Sequence, residues 1–208
     1  MRGCLILLEG LDRTGKSTQA DILASVLKAK LFKFPDRSTP IGALINQYLV
    51  DPTFHLPDQA AHLLFSANRW ELENDIVSTL ELGQHVVMDR YIYSGIAYSL
   101  AKASLDEFDW LYSPDKGLPK PDLTMFLTID LAELSKRKGW GEERYEKEEF
   151  QKIVKECFLR ILDPNADKTI EIVTVDSLLI EEVTDKLMEV VESHGVDKCR
   201  EDEIQRLM

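Results

Sequence analysis

Apolar residues along the chain fall into two alternating patterns. Short continuous runs predict buried strands: Cys4-Leu5-Ile6-Leu7-Leu8, Lys30-Leu31-Phe32-Lys33-Phe34, His85-Val86-Val87-Met88-Asp89, Leu123 to Ile129 and Thr169 to Val175. Between them, apolar positions recur three and four apart, as Ile22, Leu23, Val26 and Leu27 do, and predict helices. Such patterns cover Ile41 to Val50, with Pro40 in the first turn, and a long stretch from about Leu56 to Leu82 that ends at Gly83. They return around Ser94 to Lys102 and over Leu178 to Glu192. Ser113 to Pro121 is rich in proline, lysine and glycine and reads as loop, while Glu133 to Arg160 is dominated by charge. Strands apolar on both faces and separated by helices imply an α/β fold. Its architecture is three-layered, a five-stranded parallel sheet with helices on both faces. One domain accounts for residues 1–208, and the polar stretch from Val196 to Met208 is expected to be a loosely held tail.

In such a sheet the ligand crevice lies beyond the C-terminal ends of the strands. Charge gathers there: Phe34-Pro35-Asp36-Arg37 follows the second strand, Asp89-Arg90-Tyr91 the third, and Asp176 the last. After the first strand comes Gly10-Leu11-Asp12-Arg13-Thr14-Gly15-Lys16-Ser17, which has the spacing G-x-x-x-x-G-K-[ST]. Backbone N–H groups of such a loop wrap phosphate oxygens, and the helix that follows presents its positive dipole end to them. Lys16 is expected to reach the β- and γ-phosphates, and the Ser17 hydroxyl to meet Mg²⁺. Asp89, closing an apolar strand, stands where a second carboxylate of the magnesium shell belongs. A helix N-cap is the plainer reading of the same residue.

Three reaction classes share this loop. A signalling GTPase needs a guanine-reading Asn-Lys-x-Asp, which is absent, and a motor ATPase carries a glutamate where this chain has Arg90. A kinase needs cations for two sets of phosphates, and Arg13, Arg37 and Arg90 supply them. A hydroxyl acceptor calls for a carboxylate base. A monophosphate is already largely ionised at neutral pH and calls for screening instead. Arginines at the strand ends favour the second. Surface ion pairing is the blander role for any one of them.

The composition narrows the partners further. With 208 residues, 44% hydrophobic and 30% charged, the chain is long enough for a sizeable core. A net charge of −12 argues against binding nucleic-acid polymers, which takes a basic surface. No apolar run approaches membrane-spanning length, and the five-residue run at the N-terminus is too short for a signal peptide. Cys4, Cys157 and Cys199 are odd in number without metal-like spacing, which points to free thiols and a cytoplasmic location, with a nuclear or organellar pool left open. His55, His62, His85 and His194 are scattered and read as structural or exposed.

Several further runs, taken with the glycine loop, resemble the thymidylate kinase family: Phe34 to Arg37, Leu64 to Glu71, Asp89 to Tyr98, Gly117 to Asp122 and Glu143-Arg144-Tyr145-Glu146. The resemblance implies the P-loop nucleoside-triphosphate hydrolase fold and transfer of the ATP γ-phosphate to dTMP, giving dTDP, with Mg²⁺ and in a homodimer. It is closest to the form with an arginine inside the phosphate loop, here Arg13. ATP would be held by Gly10, Arg13, Thr14, Gly15, Lys16, Ser17 and Thr18, with Arg137 along the adenine. The resemblance makes Glu133 to Gln151 a mobile lid. Catalysis would fall to Arg13, Lys16, Asp89 and Arg90, and the metal to Ser17 and Asp89.

On the acceptor side the resemblance implies roles for Asp12, Phe34, Arg37, Phe65, Arg69, Arg90, Ser94, Gly95, Tyr98, Tyr145 and Gln151. Phe65 and Arg69 are four apart and share a helix face, so one can stack on a base while the other donates to thymine O4. Ordinary core packing is the alternative for Phe65. Arginine only donates, so a cytosine amino group opposite Arg69 would leave donors facing each other. Asp12 would accept from the sugar 3′-hydroxyl, Tyr98 would fill the place of a 2′-hydroxyl, and Arg37 and Arg90 would hold the dTMP phosphate. Lys136-Arg137-Lys138 also reads as a solvated helix end, and Lys138 and Trp140 depart from the lids of relatives.

Overall fold

A computed structural model of the chain describes residues 1–102, 104, 105, 107–134, 143–145 and 147–208. The five predicted strands are β1 (Leu5–Gly10), β2 (Lys30–Lys33), β3 (Val86–Asp89), β4 (Leu123–Thr128) and β5 (Ile170–Thr174). They form one sheet in the order β2-β3-β1-β4-β5, every pair parallel. Around it lie α1 (Lys16–Val26), α2 (Pro40–Val50), α3 (Asp58–Glu71), α4 (Glu73–Glu81) and α5 (Ile92–Leu100). The rest are α6 (Phe108–Tyr112), α7 (Leu131–Leu134), α8 (Glu148–Ile161) and α9 (Ile180–Ser193).

β1 is buried along its whole length, which is why its run shows no alternation. Ile6 and Leu8 pack with Leu23 of α1 and with Val154 and Phe158 of α8, whereas Leu5 and Leu7 pack with Ile76 and Leu80 of α4. Each such side chain, fully buried, contributes about 1.5–3 kcal/mol relative to exposure. The chain leaves β1 toward β2 on one side and leaves β3 toward β4 on the other. A crevice therefore opens beyond the adjoining ends of β1 and β3, the switch point of an open α/β sheet.

Two expectations change. The helix predicted from Leu56 to Leu82 is two helices, α3 and α4, broken at Leu72, whose N–H bonds three residues back to the Arg69 carbonyl at 3.2 Å. Residues 196–208 are not loose. Val196 and Leu207 are buried, Arg2 bridges Arg200, and Pro119 bridges Arg206. Asp122 anchors one end of this segment by accepting from both Arg2 (2.7 Å) and Arg200 (3.2 Å). No described helix is long and apolar enough to cross a membrane.

Candidate active site

The phosphate loop joins β1 to α1. Lys16 is buried at the start of α1, its Nζ 3.4 Å from Asp89 Oδ1. Burial and the nearby Arg90 push its ammonium below the ordinary range, against Asp89 and Asp12. A phosphate in the loop would add negative charge and raise it again. Ser17 donates its hydroxyl to Asp89 Oδ2 at 2.5 Å. Burial pushes the Asp89 carboxyl up, but Lys16, Arg90 and Ser17 more than offset this and hold it below its usual range. Asp89 is thus the ionised carboxylate expected of it.

Asp89 Oδ1 is buried without a hydrogen-bond partner, and the Ser17 oxygen stands beside its twin. A magnesium ion takes one or two protein oxygens and completes its shell with phosphate and water, so this donor pair fits it. Among the described residues no group of three or more His, Cys, Asp or Glu side chains forms an all-protein cage. Thr14, Gly15 and Thr18 line a pocket with Val175 and Ile180, a largely apolar slot next to the phosphate loop. Arg137, expected along the adenine, lies outside the described residues, as do Lys136, Lys138 and Trp140. Asp176 accepts the Asp130 N–H at 2.6 Å, ahead of α7.

Beside the loop opens a cavity of about 120 Å³. All of the acceptor-side residues expected from the sequence line it except Gln151. Gln151 is fully buried behind the wall, where its Nε2 donates to Asp12 Oδ2 at 2.9 Å and to the Tyr145 carbonyl at 3.0 Å. Its contact is with the residues that line the cavity.

Asp12 joins the two halves of the site. Its Oδ1 accepts from Arg90 Nη2 at 2.5 Å, and its Oδ2 from the Tyr98 hydroxyl at 3.0 Å. Burial raises its carboxyl, but Arg90, Lys16 and Tyr98 outweigh that and keep it ionised below its usual range. Arg90 also donates to the Gly10 carbonyl at 3.1 Å and to Ser94 Oγ at 3.0 Å. Arg13 and Arg90 both stand at φ 68°, a left-handed conformation that costs a side-chain-bearing residue free energy. Strain of this kind collects at functional sites, and here it falls on two arginines singled out by sequence.

Four residues that position the site escaped the sequence reading. Glu9, fully buried in β1, accepts from the Tyr91 and Ser94 N–H groups at 3.0 Å each and from the Ser94 hydroxyl at 2.5 Å. It thereby satisfies free donors at the start of α5, directly after Arg90. Burial raises its carboxyl while Ser94 and Arg90 oppose the rise. Asn68, buried in α3, accepts the Asp36 N–H at 2.8 Å and donates to the Asp36 carbonyl at 3.1 Å, gripping the turn that carries Arg37. Asp115 pairs with Arg69 through two bonds, Nε–Oδ1 3.0 Å and Nη2–Oδ2 2.7 Å. Arg144 donates to the carbonyls of Tyr48 (2.8 Å), Asp51 (3.1 Å) and Phe54 (2.8 Å), a cation at the C-terminal end of α2. Glu9 had a local signal, a charge inside an otherwise apolar strand, while Asn68 and Arg144 lay in runs that carried the family resemblance but were given no role of their own.

A phosphate loop facing a basic cavity at the switch point of a parallel sheet defines a phosphotransferase of the P-loop kinase class. The comparisons agree and go further. A family model described as thymidylate kinase matches residues 8–187. The chain is 50% identical over 163 residues to a thymidylate kinase of Dictyostelium discoideum, covering 76% of this chain and 72% of that one. It is 45% identical over 201 residues to one of Schizosaccharomyces pombe, covering 94% of each. A solved thymidylate kinase structure from Candida albicans, described as revealing the origin of broad substrate specificity and a novel structural element, superposes with a TM-score of 0.96. Its sequence identity is 57%, with 100% of this chain and 99% of that one covered. The chain belongs to the thymidylate kinase family.

Proposed function

We propose that this chain transfers the γ-phosphoryl group of ATP to the 5′-phosphate of dTMP, giving dTDP and ADP. A phosphate oxygen of dTMP attacks the γ-phosphorus, and the bond to the β–γ bridging oxygen breaks, its electrons leaving with ADP. The acceptor is already an anion, so no general base is required. The chief task of the protein is to bring two anionic groups together and stabilise charge as it spreads over the transferring group.

Lys16 and the loop N–H groups hold the donor phosphates, with the apolar slot beside Val175 and Ile180 taking the adenine. Ser17 and Asp89 would hold Mg²⁺, which when bound neutralises phosphate charge. Arg90 and Arg37 take the acceptor phosphate, and Arg13 reaches toward the transferring group. Phe65 stacks on thymine, and Arg69 donates to its O4. Asp12 exchanges a protein donor for the sugar 3′-hydroxyl, while Tyr98, held against Asp12, fills the space a 2′-hydroxyl would need. A homodimer in the cytoplasm completes the reading; the half-exposed Leu63 on α3 offers apolar surface for a second copy, and a monomer mass in solution would remove that part.

The observation that carries the reading is Asp12, a phosphate-loop residue whose carboxylate is also a wall of the acceptor cavity and pairs with Arg90. Donor and acceptor sites thus share one wall. Thymidine and dTMP offered side by side with ATP test it: ADP release with dTMP alone is expected. Preferential phosphorylation of thymidine would overturn it.

A further inference from the structure

Arg69 does not stand by itself at the cavity. Its Nε and Nη2 are both taken by Asp115, which is fully buried and also accepts from the Ser66 hydroxyl at 2.7 Å. The nitrogen left over is Nη1. Gly95, itself a cavity residue, leaves the room the guanidinium occupies, since a Cβ there would lie 2.9 Å from both Nη1 and Nη2. The arginine is gripped from one side and boxed on the other, with one nitrogen, Nη1, outside the grip.

Asp115 is in turn held by a distant part of the chain. Its turn closes through the Leu118 N–H to the Asp115 carbonyl at 3.1 Å. Residues 205–207 run alongside as a strap: Gly117 N–H to Leu207 carbonyl at 2.8 Å, Leu207 N–H to Leu118 carbonyl at 2.9 Å, and Lys120 N–H to Gln205 carbonyl at 2.8 Å. Arg206 donates to the Gly117 carbonyl at 2.9 Å and pairs with Glu73 at the start of α4. Leu207, 5% exposed, is sunk into the same apolar cluster as Leu118 and Tyr91.

We propose that Asp115 is a positioning residue that sets base selectivity, and that the 205–207 strap fixes it in place. Holding two of the three guanidinium nitrogens removes the freedom of a long side chain. Nη1 then meets an acceptor at one point, where a carbonyl oxygen is accepted and an amino group is refused. The inference deepens the assignment of Arg69 as base reader and rests on it.

The test compares dTMP with dCMP in the full-length enzyme. Asp115→Asn keeps the shape but loses the charge that grips the guanidinium. It is expected to raise KM for dTMP about tenfold and to cut the dTMP-over-dCMP preference about tenfold, the loss appearing in KM rather than kcat. A purely structural residue would depress both acceptors alike, so a preference kept within about twofold overturns the proposal. Leu207→Ala, which is not itself a lining residue of the cavity, is expected to lower the preference about threefold. It decides the matter if Asp115→Asn does not fold, an unchanged preference then overturning the proposal. Arg69→Ala separates the two layers. Selectivity that survives Arg69→Ala removes the base reader and the proposal with it; selectivity lost there but kept in Asp115→Asn overturns the proposal alone.

Discussion

Arg37 and Glu143 join two rims of the acceptor cavity through a two-armed ion pair, Nη1–Oε1 at 2.8 Å and Nη2–Oε2 at 2.9 Å. Arg37 belongs to the turn after β2, and Glu143 to the segment ahead of α8. The pair is half exposed, so it is worth at most about 1 kcal/mol. On the proposed role of Arg37, an arriving phosphate, with more charge than one carboxylate, would displace Glu143 from the guanidinium. Glu143→Gln is therefore expected to tighten dTMP binding, by up to about fivefold. Calorimetric titration without ATP measures this, and unchanged or weaker binding would show that the carboxylate is no competitor.

Arg13 is assigned to charge that develops only as the phosphoryl group transfers. Its loss should leave ground-state binding nearly intact. Arg13→Ala is expected to lower kcat about a hundredfold or more, with each KM changed by less than about threefold. Steady-state kinetics with both substrates varied decide this. An undiminished kcat would strip the side chain of its role.

His62 gives the fold a pH dependence of known sign. The buried ring bridges Ser99 Oγ and the Leu111 carbonyl at 2.8 Å each, and burial pushes its pKa below the ordinary 6.5. The unfolded chain takes up a proton below 6.5 that the folded chain refuses. The stability His62 contributes is thus fully present above pH 6.5 and is lost as pH falls through the depressed folded value. Urea midpoints at about pH 7.5 and 5.5 should fall more steeply in the wild type than in His62→Gln, by up to about 1.4 kcal/mol per pH unit. Equal slopes would mean that the ring titrates normally in place.

Gly42 lies in the first turn of α2, against the turn that carries Arg37. A Cβ there would sit 1.7 Å from the Asp36 carbonyl oxygen and 2.9 Å from the Arg37 Cα. Gly42→Ala must push helix and turn apart. We expect about 2–3 kcal/mol of lost stability and a KM for dTMP raised about tenfold. A folded variant with wild-type KM would count against Arg37 touching the acceptor.

β1, β3 and β4 were legible as apolar runs buried on both faces, β2 and β5 as shorter, partly exposed stretches at the sheet edges, and the phosphate loop because local spacing defines it. Phe65 and Arg69 were legible through the family resemblance, their four-residue spacing adding only that they share a helix face. The break at Leu72 was not, since neither glycine nor proline marks it. It arises where α3, fixed through Arg69 and Asn68, gives way to α4, which turns Ile76 and Leu80 onto the sheet. Asp115 looked like a loop aspartate because its partner Arg69 lies 46 positions away. Residues 196–208 hid their buried members, as Val196 and Leu207 follow no helical or strand period, and Arg2, which meets Asp202, is 200 positions distant. What escaped the sequence was pairing across long separations, which leaves no local pattern.

The central place of β1 has a consequence for how the protein is made. β1 is synthesised before the other four strands, yet its neighbours in the sheet are Val86–Asp89 on one side and Leu123–Thr128 on the other. Closing loops of that length precedes any reward from the contacts they bring. A nascent chain therefore has no firmly flanked ATP cradle until β4 has emerged.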